Sequence, residues 1–169
     1  MAYHGVELQN SITIEKIFSI HYFEYMSNFS FAGESHNFWE FICVDKGEVG
    51  VTRGKSYTIL KKGDLIFHKP NEFHDVKATG GIAPNLVVIS FECNDDAMYF
   101  FNDRLLQIDE TERNLLANII IEARRCFDCR LDDPYLQNMP LKDPDTFGAQ
   151  QMIKLYLEHF LIHLIRRYS

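Results

Sequence analysis

Turn residues punctuate the first half of this chain at short, regular intervals and then stop. Gly33, Lys46-Gly47, Gly54-Lys55, Lys61-Lys62-Gly63-Asp64, Pro70, and Gly80-Gly81 with Pro84 cut residues 11–93 into short pieces. The pieces between them are dense in Ile, Val, Phe and Tyr. Breaks about every 8–12 residues between short apolar runs predict a β-sandwich or closed β-barrel. One or two strands are expected within residues 11–31, then strands over 36–45, 49–53, 57–60, 65–68, 74–77 and 85–93. Pro70 cannot donate to a ladder, so residues 69–73 read as a loop.

Beyond residue 95 the period changes. Residues 96–104 read as a short helical turn. From Asp109 to Phe127 apolar residues recur at Leu116, Ile120, Ala123 and Phe127, a helix that Asp109 or Thr111 caps. Residues 128–146 carry three Pro and five Asp and form a long connection. A second helix runs from Phe147 to the end, with Ile153, Leu157, Phe160 and Leu164 forming a seam. Leu155 and Ile162 fall nearly opposite that seam. They need a second partner, either the barrel or another copy of the chain. The expected fold is thus mainly β with an α appendage: a barrel over residues 1–95 and a helical region over 96–169.

Charge limits the partners. Seventeen Lys and Arg against 24 Asp and Glu give a net charge of -7, which argues against gripping a nucleic-acid backbone or an anionic membrane surface. The N-terminus has neither a basic segment nor an apolar core of the signal-peptide kind, and no apolar run reaches membrane-span length, so a cytoplasmic protein is expected. Cys43, Cys93, Cys126 and Cys129 imply no disulfide framework, and the single C-F-D-C has no second pair to complete a zinc site.

The chemistry-bearing residues concentrate in 34–47, ESHNFWEFICVDKG, and in its echo 63–74, GDLIFHKPNEFH. With period 2, Glu34, His36, Phe38, Glu40, Ile42 and Val44 share one strand face. Polar groups mixed among large apolar ones suit a strand that lines a chamber. On an ideal strand His36 and Glu40 lie about 13 Å apart, so a shared ligand requires a bend between them. Ile42, Phe67 and Phe91 read as core, as does Phe38, which also stands among the candidate ligand contacts through the face it shares. Trp39 is expected to pack against a helix. His159 and His163, at i and i+4, lack the Glu of an H-E-x-x-H site and read as a solvent or interface pair. No G-x-S-x-G, Walker or dinucleotide pattern occurs.

His36, Glu40 and Gly47 (H-x3-E-x6-G), with Gly63 and His74 (G-x10-H), resemble the two-part pattern of the cupin superfamily, a jelly-roll β-barrel. The family's first His position holds Glu34 here and its leading Gly is Asn28. That resemblance implies a ligand set of Glu34, His36, Glu40 and His74 for a divalent metal such as zinc, manganese or iron, as in a small metal-dependent isomerase or dioxygenase.

A second resemblance covers residues 30–168. H-x3-E-x6-G, SYTILKKGDLIFHKPNEFH, LVVISFEC, DAMYFF, LLANIIIEARR and FGAQQMIKLYLEHFLIHLIRR are together similar to the sensor half of AraC-type (arabinose-regulator-like) transcription factors. It implies a non-enzymatic module with no obligatory cofactor. A small-molecule effector would sit in a cupin-like barrel at Glu34, His36, Phe38, Glu40 and His74. A homodimer would form through the C-terminal helices at Leu155, His159 and Ile162. DNA would be bound only by a C-terminal double helix-turn-helix domain that this chain lacks, the sequence stopping near the family's linker. Under this reading His36 and Glu40 either brace the barrel as a polar cluster, contact the effector or hold a metal. His74 either lines the pocket or anchors its loop.

Overall fold

In the computed structural model, which describes residues 1–169, the expected runs pair into two antiparallel sheets facing each other. In chain order the strands are β1 (Lys16–Glu24), β2 (Ser30–Glu34), β3 (Trp39–Lys46), β4 (Glu48–Arg53), β5 (Ser56–Lys61), β6 (Asp64–His68), β7 (His74–Ala78), β8 (Asn85–Glu92) and β9 (Leu105–Gln107). One sheet has the order β1-β8-β3-β6-β9 and the other β2-β7-β4-β5. From β1 to β8 consecutive strands alternate between sheets except at the β4-β5 hairpin, as in a double Greek-key jelly roll, and β9 returns to the sheet of β8. A 3-10 helix (Asp96–Phe101) leads into β9, then come α1 (Glu110–Cys126) and α2 (Ala149–Tyr168). The fold is a cupin-like jelly roll carrying two long helices, as the sequence predicts. No helix is long and apolar enough to cross a membrane.

Two differences from the sequence reading matter. β3 starts at Trp39, not at residue 36. Glu34 closes β2, and residues 35–38 form the bend between the two strands. The six alternating residues from Glu34 to Val44 therefore belong to two strands and a loop in different sheets. β9, which the sequence reading lacks, pairs with β6 at the sheet edge, so a segment beyond residue 95 completes the first sheet.

Both faces of that sheet are buried, which explains the mixed pattern of β3. Trp39, Phe41 and Cys43 face outward into a large core of 28 buried residues shared with both helices, with Phe41 5.3 Å from Phe160 between ring centroids. Ile42 and Val44 face inward to a smaller core of 10 buried residues between the sheets. Each fully buried large side chain contributes about 1.5–3 kcal/mol, so most of the stability resides where helices meet sheet. The inner space is left loosely filled toward one end.

The helices obey local rules. Asp109 accepts from Glu112 N while Glu112 returns to Asp109 N, both at 2.9 Å, a complete capping box. Ile153, Leu157, Phe160 and Leu164 are buried as expected, and so is Leu161, which widens the seam into a broad apolar face. Leu155 is 48% exposed. Ile162, on the same side, is half-buried against the core, so the chain's own core takes part of this pair and solvent the rest.

Candidate functional site

The site grows from one row of neighbours across the inner face of the first sheet. Ser19 on β1 lies opposite Ser90 on β8, Ser90 opposite Glu40 on β3, and Glu40 opposite His68 on β6. The next inward row is His21, Val88, Ile42 and Ile66. Inward-facing residues alternate along each strand, so the polar row lies at the mouth of the jelly roll and apolar rows lie beneath it. The opposing sheet adds Glu34, in register with His74. Gly33, with φ of +102°, turns Glu34 into place; a Cβ there would lie 2.5 Å from the Phe73 ring and 2.9 Å from the His74 carbonyl. His36 arrives from the bend, whose carbonyl accepts from Asn71 N at 2.6 Å.

Glu34, His36, Glu40 and His74 thereby converge, with one donor atom of each within 4.8 Å of every other. His36 Nε2 lies 3.7 Å from Glu34 Oε1 and 3.6 Å from Glu40 Oε1. His74 Nε2 lies 3.9 Å from Glu34 Oε1 and 3.1 Å from Glu40 Oε2. Each imidazole is oriented through its other nitrogen: His36 Nδ1 contacts Phe38 O at 3.0 Å and His74 Nδ1 contacts Glu72 O at 3.1 Å. A carbonyl only accepts, so both Nδ1 atoms carry protons. Both Nε2 atoms are buried without an aligned hydrogen-bond partner, facing two carboxylates. As lone pairs they would be repelled there. The arrangement calls for protons or for a positive centre between them.

Electrostatics agree. Burial alone raises the Glu40 carboxyl, but its contacts with His36 and His74 outweigh burial and hold it well below the usual carboxylate range. Burial lowers His74, and the Glu40 contact outweighs this to raise it. His68 is stacked on His74 with centroids 4.3 Å apart. Burial, and secondarily the His74 charge, push it down to about 3. Burial also lowers His21.

The cluster suits a divalent cation. Nitrogen and oxygen ligands bind zinc at about 2.0–2.2 Å, and four such ligands in a tetrahedron lie about 3.3–3.6 Å apart. The four His–Glu separations here, 3.1–3.9 Å, run to both oxygens of Glu40, and one atom from each residue lies within 4.8 Å of the others, so the four side chains would close in slightly around an ion. The Nδ1 contacts to backbone carbonyls are the outer support that metal-binding imidazoles use.

Above the cluster lies a cavity of about 360 Å³ lined by Phe18, Phe31, Phe38, His21 and Ser90, among others. It continues into a deeper pocket of about 60 Å³ that includes Tyr25, His68 and His74. Phe18 occupies the register break in β1 between Ile17 and Ser19, and such a bulge re-aims a side chain. Its ring stacks on Phe38, which stacks on His36, both at 3.9 Å. Pro134, Tyr135, Leu136 and Gln137 supply the outer wall. They belong to the long connection between the helices. Leu131 O accepts from Tyr22 N at 2.9 Å on the free edge of β1, and Asp128 N donates to Pro140 O at 2.7 Å where the connection closes on itself.

All five candidate ligand contacts, Glu34, His36, Phe38, Glu40 and His74, border this chamber. Phe38 is half-buried there rather than in the core. Phe67 and Phe91 lie in the outer core, as expected. The bend that joint use of His36 and Glu40 requires is present. His21, His68 and the connection were not anticipated; His68 shares the inward parity of Ile66 on β6, a period-2 signal present in the sequence. His159 is exposed. His163 is bonded within the chain, Nδ1 lying 2.6 Å from Glu112 Oε2, and its ring meets that of His159 edge-on at 6.2 Å between centroids.

Residues 18–100 match the family described as the AraC-like ligand binding domain. No curated protein matches the chain. Among solved structures, it is similar to the Cnp3 cupin domain of Schizosaccharomyces pombe, at 16% identity over 52% of this chain and 65% of that one, with a TM-score of 0.42. A predicted oxalate decarboxylase from Thermotoga maritima matches at 18% identity over 42% and 62%, with a TM-score of 0.38. The plu4264 protein of Photorhabdus luminescens matches at 22% identity over 36% and 52%, with a TM-score of 0.35. The chain thus covers between about half and two thirds of the length of these three structures.

Proposed function

We propose that this chain is the effector-sensing and dimerisation module of an AraC-family transcription regulator, whose DNA contacts are made by a separate domain of a longer cytoplasmic protein. One observation carries the reading: the segment that walls the chamber, residues 134–137, is the same segment that joins α1 to α2. Occupancy of the chamber bears directly on the connection between the two helices. The family match over residues 18–100 supports the sensing half. The exposed Leu155 and half-buried Ile162 support a homodimer through α2.

The test is a fusion of residues 1–169 to a DNA-binding domain that represses a reporter only as a dimer. Repression is expected, and Leu155→Asp combined with Ile162→Asp abolishes it and yields a monomer by light scattering. An inactive fusion, or an unchanged dimer in the double variant, sinks the reading.

A second reading rests on the two unpartnered Nε2 atoms facing Glu34 and Glu40: the chamber holds a divalent cation, as in a small metal-dependent cupin enzyme. Bound there, the cation would supply Lewis acidity, and Glu34, His36, Glu40 and His74 would hold it. Metal analysis of protein purified without an affinity tag tests this. Stoichiometric metal that disappears in both His36→Ala and His74→Ala favours it; metal-free wild-type protein removes it.

A further inference from the structure

The chamber also restricts what its effector can be. We infer that the effector is a small single-ring aromatic compound with a donor head, hydroxyl or ammonium but not an anion. Its head lies on the Glu34–Glu40 floor and its ring lies among Phe18, Phe38 and Tyr135. The inference rests on the sensor reading and deepens it.

Charge gives the first restriction. Glu34, Glu40 and Asp75 line the chamber, and no Lys or Arg does. Arg53 is in register with His74, but its guanidinium points away, donating to Phe67 O at 3.5 Å and Arg104 O at 3.2 Å. An anionic head would meet three carboxylates with no Lys or Arg to offset them, the His36 and His74 imidazoles being already turned to Glu34 and Glu40. A donor head instead satisfies the floor. His74, only 4% exposed, aims its unpartnered Nε2 into the cluster, and Glu34 Oε1 stands 3.7–3.9 Å from both imidazoles, too far for a hydrogen bond to either.

The wall gives the second. Four aromatic rings, Phe18, Phe31, Phe38 and Tyr135, line one cavity without being fully buried. Phe18 is delivered by a bulge that otherwise weakens β1 pairing. The polar residues of the outer part are few: Ser19 and Ser90 bond each other, which leaves Gln137 and His21, whose Nδ1 is without a partner. A polyol would turn most of its hydroxyls onto rings, each unpaired polar group being costly, whereas a flat ring stacks. Size gives the third. At about 360 Å³ the cavity lies at the small end of the range for ligand sites, which suits one ring rather than several.

Benzylamine, benzyl alcohol and benzoate share a ring and differ in the head; cyclohexylmethylamine and arabinose remove the aromatic ring. Titration calorimetry on chelator-treated protein is expected to show benzylamine and benzyl alcohol binding, with benzoate at least about tenfold weaker, cyclohexylmethylamine about fivefold weaker than benzylamine, and arabinose silent. Tyr135→Ala, at a 67% exposed position where folding is not at stake, weakens the aromatic probes about fivefold. Glu34→Gln weakens benzylamine relative to benzyl alcohol.

Benzoate binding as tightly as benzylamine, arabinose binding in their place, an unaffected Tyr135→Ala, binding that appears only in zinc-loaded protein, or no binding by either donor-headed probe each overturns the inference. The repression assay contains no ligand. A fusion that represses while these probes fail leaves the sensor reading standing and removes only the effector class.

Discussion

Two clusters in this molecule are built from the same residue types and behave in opposite ways. At the end of α2, Glu112 is fully buried beside His163 and Arg167. Each of its oxygens is saturated: Oε1 accepts from Asp109 N at 2.9 Å and Arg167 Nη2 at 2.8 Å, and Oε2 from His163 Nδ1 at 2.6 Å and Arg167 Nε at 2.9 Å. Arg167 and Tyr168 also bond Gln107 of β9, which fastens the end of α2 to the sheet. In the chamber, Glu40 faces imidazoles whose inner nitrogens lack aligned partners. Both clusters bring acids and His together within metal-binding distance. The difference is saturation. A satisfied cluster holds the fold together; an unsatisfied one awaits a ligand or protons.

The largest effect that separates them is on stability. Breaking a buried ion pair from one side leaves the partner uncompensated, at about 3–5 kcal/mol. Arg167 is a third exposed, so the lower end applies, and Glu112→Ala is expected to cost about 3 kcal/mol in urea unfolding. Glu40→Gln keeps the shape of the site but loses the charge facing His36 and His74, and with the cluster short of saturation it is expected to cost about 1–2 kcal/mol, less than Glu112→Ala. Equal losses would break the contrast.

Zinc sharpens it next. At about 100 times its dissociation constant, an ion bound only to the folded state stabilises by about 2.7 kcal/mol. That gain is expected in wild-type protein and in His163→Ala, and is expected to vanish in His74→Ala, as read by melting with and without zinc. A gain that depends on His163 would assign the ion to the helix clamp instead.

Much of this was legible in the sequence, and the gaps have physical causes. The strands were legible because period 2 and turn residues are local signals, and the capping of α1 by Asp109 likewise. The start of β3 was not. His36 and Phe38 continue the alternation of Glu40 and Ile42 although residues 35–38 are a bend, and side-chain alternation does not distinguish the two. The nearness of His68 and His21 to Glu40 is not legible, because it depends on register between strands, which is a tertiary property. The connection was legible as a connection, but its place over the chamber depends on the free edge of β1 donating Tyr22 N–H to the Leu131 carbonyl. Glu112 shows a capping signal; its burial depends on the pairing of α1 with α2.

The smallest effect concerns pH in chelator-treated protein, and its sign follows from which state binds more protons. His68 and His21 are depressed by burial below the 6.5 of an ordinary imidazole, His68 to about 3. As pH falls below 6.5 the unfolded chain takes up protons that the folded chain refuses. Stability therefore declines at up to about 1.4 kcal/mol per pH unit for each such His. Glu40, also depressed, adds to the loss once pH falls below the unfolded carboxyl value of 4.5. His74 is raised by Glu40, so its contribution is fully present below 6.5 and is lost as pH rises through its folded value. The two trends meet in a stability maximum near pH 6.5. Urea unfolding across pH 4–8 is expected to trace that maximum, and His68→Leu, which keeps the volume apolar, flattens the acid limb by about one proton. A limb unchanged by His68→Leu would mean that this imidazole is solvated and that the chamber floor is not the desolvated surface on which the contrast with the helix clamp depends.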